Sequence, residues 1–231
     1  MTRQFEILAF DQRGLGQTDR PDGPYTMADY ARDAHGLLHA VDWDICSVME
    51  VSFGGMVAQE FALCYAHHVK RLVLACTSTG GNGGDSYPLH ELHGLPMRHR
   101  ALRLVPLADT RCHEEWQKTH PESFQALVDQ MVSGMRVGAD EPGRQQGVWN
   151  QLKARMGHDT YSRLPGLGMP VYICGGRYDG ITPEMNLRAL YDKIPHARLE
   201  LFEGGHRFLL QDKRAFDRIV AFLEGKLDRA E

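Results

Sequence analysis

The sequence predicts an α/β fold, a mainly parallel sheet flanked by helices and interrupted by one inserted helical lid. Three observations carry this. Short runs rich in aliphatic and β-branched residues recur along the chain, as strands buried on both faces require. Stretches with apolar residues at helical spacing separate them, the alternation of a doubly wound sheet. That rhythm breaks once, between about residues 80 and 158.

The elements follow in order. FEILAF, ending at Phe10, reads as the first strand. Thr26 with Asp29 three residues on has the capping-box pattern and opens a helix through about Ala40. DICSVMEV ends at Val51 as the second strand, and a helix runs from Phe53 to about His67, with Val57, Phe61 and Cys64 apolar. RLVLAC, from Arg71, is the third. The glycine-rich GGNGGDS then opens the break, which continues rich in Arg, His, Met and Gln at helical spacing. Residues 80–158 are therefore expected to form the lid, inserted into a core of 1–79 and 159–231. PVYICGG, from Pro170, and the more amphipathic RLELFEGG, ending at Gly205, complete the strands. A helix begins at Pro183 and ends near Ile194, and another amphipathic stretch follows Asp212.

Bulk properties exclude several function classes. The chain has 231 residues, enough for one sizeable domain with an insertion. With 42% hydrophobic and 24% charged residues it has the balance of a globular protein. A formal net charge of −4 offers no basic surface for nucleic acid. No apolar run reaches the ~18 residues of a membrane span, and the N-terminus lacks the succession of a signal peptide. Five cysteines, with no C-x-x-C, point to free, mostly buried thiols and a cytoplasmic setting. Among twelve histidines, His90-Glu91-Leu92-His93 has the wrong spacing for a zinc helix, so no metal is expected. Gly14-Leu15-Gly16 lacks the third glycine and helix start of a dinucleotide site, so no cofactor is expected, and the run reads as a turn braced by Arg13 and Asp19. Trp43, Tyr65 and Trp116 read as packing residues, while Met131, Met135 and Trp149 either line a pocket or pack the lid.

The chemistry-bearing signal is a strand running straight into a helix with Ser52 at the join, in SVMEVSFGGMVAQ. A sharp turn there lifts the hydroxyl clear of the backbone and sets it at a helix N-terminus, where free N–H groups favour developing negative charge. Phe53 N–H is the natural oxyanion donor. After the next-to-last strand comes GGRYDGITP with Asp179, and after the last comes EGGHRFLLQD with His206. Alone, Asp179 could be a turn or cap aspartate and His206 a surface histidine. Together all three fall beyond strand carboxyl ends, in the order nucleophile, acid, base.

These motifs resemble the α/β-hydrolase family, in particular its small lactonase and esterase-like members, over nearly the whole chain. DQRGLGQTD, Asp11–Asp19, is similar to a turn that the family carries after its fourth strand. The resemblance implies a Ser52–Asp179–His206 triad, an acyl-enzyme, a small ester or lactone substrate and no cofactor, and leaves a homo-oligomer open. Two departures stand out. Glu50 occupies the position, two before the nucleophile, where the family has a small residue. The family also has strands and a His-Gly loop ahead of FEILAF, one of those strands lying between the equivalents of FEILAF and DICSVMEV. An upstream extension, or direct pairing of FEILAF with DICSVMEV, is the expectation. Without that loop one oxyanion donor is lost, on the order of 10²–10³ in rate. The alternative reading is therefore a catalytically impaired or inactive hydrolase relic or fragment.

Overall fold

The structure, a computed structural model, describes residues 4–227. Its sheet contains β1 (Cys46–Val51), β2 (Val69–Ala75), β3 (Val171–Gly176) and β4 (Arg198–Phe202). They lie side by side in that order, all parallel. Strand side chains alternate between faces. Leu72 and Leu74 of β2 therefore join one core with Ala58 and Phe61 of α2 (Phe53–Cys64) and with Leu187 and Leu190 of α7 (Glu184–Lys193). Val73 and Ala75 face the other way, onto Phe208 of α8 (Phe208–Gln211) and Ile219 and Phe222 of α9 (Arg214–Leu223). Adding successive strands in one direction sets α2 and α7 on the same face, as right-handed crossovers require. α1 (Met27–Ala40) packs beside α2, its start fixed by the reciprocal Thr26–Asp29 capping box.

FEILAF does not form the expected strand. Residues 5–10 have no ladder partner and do not pair with β1, which is the last member of the sheet on its side among the described residues. Phe5 packs against one core and Leu8 against the other, so these side chains hold the segment against the fold. Apolar sequence fits a residue to a buried strand, but paired backbone groups on a neighbour make the ladder.

Between β2 and β3 lie α3 (Met97–Ala108), α4 (Glu114–Thr119), α5 (Pro121–Arg136) and α6 (Arg144–Met156). Ala101, Val105, Val128 and Val132 give this insert its own small core, against which Trp116, Met131 and Met135 pack. Trp149 stacks on His93 at 5.1 Å. Trp43 and Tyr65 pack partly buried on the α1–α2 side of the sheet. Arg13 is not confined to its turn, because it ion-pairs with Asp33 on α1, while Gly14 N–H donates to the Asp19 carbonyl at 2.9 Å. The cysteines are free; Cys76, Cys112 and Cys174 are buried, but Cys64 is exposed, since its place on α2 faces solvent rather than the sheet. No described helix is long and apolar enough to cross a membrane.

Where the chain leaves and re-enters the core it is pinned by a buried polar belt. Thr160 N–H donates to the Thr79 carbonyl, and Gly80 and Asp159 form an antiparallel bridge. The fully buried Gln59 amide donates to the Gly55 and Ser78 carbonyls and accepts from the Thr160 hydroxyl at 2.6 Å. Removing such an amide leaves several buried partners unpaired. Gln59→Leu is expected to destabilise the fold by about 2–3 kcal/mol in urea unfolding; an unchanged midpoint would mean that the belt contributes nothing.

Candidate active site

Ser52 is the joint between β1 and α2. Its backbone has φ 56° and ψ −117°, a conformation that side-chain-bearing residues rarely adopt and that surrounding structure must hold. The hold is visible: Ser52 N–H donates to the Ala75 carbonyl at 2.8 Å, and the Ser52 carbonyl starts α2 by accepting from Met56. Its hydroxyl makes no capping bond to the helix. Phe53 is the first residue of α2, where helix geometry leaves amides without intrahelical acceptors. Its ring packs edge-on against Tyr30, 5.1 Å between centroids.

Asp179 is 4% exposed, in the loop after β3. One carboxylate oxygen accepts from Ile181 and Thr182 N–H at 2.8 and 2.9 Å. The other accepts from His206 Nδ1 at 2.7 Å. One oxygen thus closes the turn and the other faces His206. His206 follows β4, and its Nε2 lies 3.0 Å from Ser52 Oγ. A carboxylate only accepts, so Nδ1 carries the proton of the neutral ring and Nε2 is left to accept from the serine. The loops are tied to each other directly: Tyr178 N–H donates to the Gly204 carbonyl, and a Cβ on Gly176 would lie 2.1 Å from the Gly205 carbonyl oxygen.

The structure therefore brings Ser52, Asp179 and His206 into one hydrogen-bonded chain, with the Phe53 amide next to the serine. A buried thiol joins them. Cys76, first past β2 and fully buried at φ 48°, sets its Sγ 3.5 Å from the His206 carbonyl. Burial, with the adjacent Asp179 carboxylate, pushes this thiol's pKa well up. The donor atoms of Cys76, Asp179 and His206 lie within 4.8 Å of one another. A cation there would have to displace the thiol proton and break the His206–Asp179 bond. The signal for Cys76 was its position, one residue beyond a strand at the same sheet edge.

Glu50 is accommodated by a glycine on the other side of the serine. Its side chain folds onto Gly54, where an added Cβ would lie 2.1 Å from Glu50 Oε2. Burial raises the Glu50 pKa, partly offset by a hydrogen bond from the Val51 backbone. Ionisation is then easier in the unfolded chain, so this group lowers stability as pH rises from an ordinary glutamate pKa of about 4.3 through its raised folded value. Glu50→Gln should be more stable than wild type at about pH 7 and level with it below about pH 4, read by urea unfolding across pH. A stability gap independent of pH would contradict this.

The family profile described as alpha/beta hydrolase fold matches residues 2–213. A poly(3-hydroxyalkanoate) depolymerase of Ectopseudomonas oleovorans is 30% identical over 228 residues, covering 97% of this chain and 77% of that protein. The 3-oxoadipate enol-lactonase 2 of Acinetobacter baylyi is 22% identical, covering 94% of this chain and 78% of its own length. Among solved structures, a meta-cleavage product hydrolase from Pseudomonas fluorescens superposes with a TM-score of 0.75 at 20% identity, covering 94% of this chain and 78% of that one.

Proposed function

The chain belongs to the α/β-hydrolase fold family, and from that footing we propose that it is a serine hydrolase cleaving a small ester or lactone through an acyl-enzyme on Ser52. The observation that carries this is His206 bridging Asp179, at 2.7 Å, and Ser52 Oγ, at 3.0 Å. Ser52 Oγ attacks the carbonyl carbon while its proton passes to His206 Nε2. Phe53 N–H, at the positive end of α2, meets the developing oxyanion. Asp179 orients the ring and stabilises the imidazolium, which then gives its proton to the departing alkoxide oxygen. Water, deprotonated by His206, attacks the acyl carbon and releases the acid. In a lactone the leaving oxygen stays tethered, so one hydroxy acid is the product. Relatives described as a polyhydroxyalkanoate depolymerase and an enol-lactonase support ester or lactone as the substrate class. The helices of residues 80–158 serve as the lid over this rim.

A fluorophosphonate probe is expected to label the folded wild type and to fail on Ser52→Ala. Asp179→Asn, which disturbs the histidine tautomer, should lower kcat on p-nitrophenyl acetate by roughly 10³–10⁴-fold with the fold retained. An unlabelled, folded wild type that turns over no member of an ester and lactone panel would instead mark an inactive relative of these enzymes.

A further inference from the structure

We propose that Gln211 is a positioning residue that fastens the loop carrying His206 to the end of α3, so that the insert holds the acid and base loops in place. The proposal rests on the serine-hydrolase reading of Ser52, Asp179 and His206. The last carbonyls of a helix have no partners within it. At the end of α3 two of them are used on the site itself: the Leu107 carbonyl accepts from Gly180 N–H at 2.8 Å, and the Ala108 carbonyl from His206 N–H at 2.6 Å. Just beyond, Thr110 N–H donates to the Tyr178 carbonyl at 2.8 Å. The insert thus bonds the residue before Asp179, the residue after it, and His206.

This contact leaves no room for side chains. A Cβ on Gly205 would lie 1.9 Å from the Ala108 carbonyl oxygen, and one on Gly180 2.8 Å from that of Leu107. Both are backbone atoms, so neither can step aside. Gln211, the last residue of α8, closes the arrangement with both ends of its amide. Its Oε1 accepts from Gly205 N–H at 2.8 Å, and its Nε2 donates to Asp109 Oδ2 at 2.9 Å. Asp109 is in turn held by the Arg111 guanidinium at 2.6 and 2.9 Å, and that guanidinium lies 4.5 Å from the centroid of the Tyr178 ring. A continuous ring of contacts therefore runs from the base loop through Gln211, Asp109 and Arg111 to the acid loop. None of these side chains touches the Ser52 hydroxyl or the His206 ring in the hydrogen bonds above, so their effect on chemistry passes through loop position.

Small displacements of a reacting group cost rate steeply, whereas loop position far from a small substrate costs little binding. Gln211→Ala is expected to lower kcat about tenfold or more with KM changed less than about twofold, in protein whose melting temperature is close to wild type. Asp109→Ala should show the same kind of loss, and the double variant should lose less than the product of the two single losses, because both remove the Gln211–Asp109 bond. An unchanged kcat, or losses that multiply, would overturn the proposal. A second measurement does not depend on turnover. In Ser52→Ala protein, adding Gln211→Ala should speed amide exchange at His206 and Gly180 by about tenfold while amides of β2 and β3 keep their rates. Unchanged exchange at those two amides would also overturn it. If the wild type hydrolyses nothing, the exchange result still reads the clamp, and the failure lies with the assigned chemistry.

Discussion

In a parallel sheet every strand leaves at the same edge, so register decides how close the following loops can come. Here β1 and β2 end level at Val51 and Ala75, while β3 runs past Cys174, the partner of Ala75, to end at Gly176 level with Phe202 of β4. A shift of even one residue would move a strand end by about 3.3 Å. That is more than the separation of Nε2 from Oγ and would break the Ser52–His206–Asp179 chain. Gly176 ends β3 without a side chain, so the loop carrying His206 lies directly on it, while Gly175 makes room for Leu187 of α7.

Within that frame, Ser52 is the locally costly element. A non-glycine residue at positive φ costs of order 1–3 kcal/mol. It is held here by the ladder bond to Ala75 on one side and the first turn of α2 on the other. Gly54 and Gly55 are the two residues that make this turn fit: one admits the Glu50 side chain, the other admits Thr77. Glu50 therefore departs from the family pattern without blocking the elbow, because the missing bulk two residues after the serine offsets the added bulk two before it. The same economy of side chains recurs at Gly180 and Gly205, where the insert meets the loops.

Much of this was legible in the sequence because it depends on local pattern. The Thr26–Asp29 box, the helix start after Ser52, three apolar strands and the more amphipathic last one each declare themselves within a few residues. Ser52, Asp179 and His206 were readable because each lies just past a strand, and topology does the rest. What was not legible depends on distant partners. FEILAF has the composition of a strand but no neighbour to bond, and composition does not report neighbours. Cys76 resembles any buried thiol until β2 and β3 bring it against Asp179. The Gln211–Asp109 link spans about a hundred residues and appears only when α3 is docked on the rim.

Nitrogen-15 NMR of the His206 ring reads the Ser52–His206–Asp179 hydrogen-bonded chain without any substrate. The chain of bonds requires the neutral imidazole to carry its proton on Nδ1, donated to Asp179, with Nε2 bare and facing Ser52. That tautomer in the wild type, lost in Asp179→Asn, is the predicted result. A neutral ring protonated on Nε2 in the wild type would contradict it.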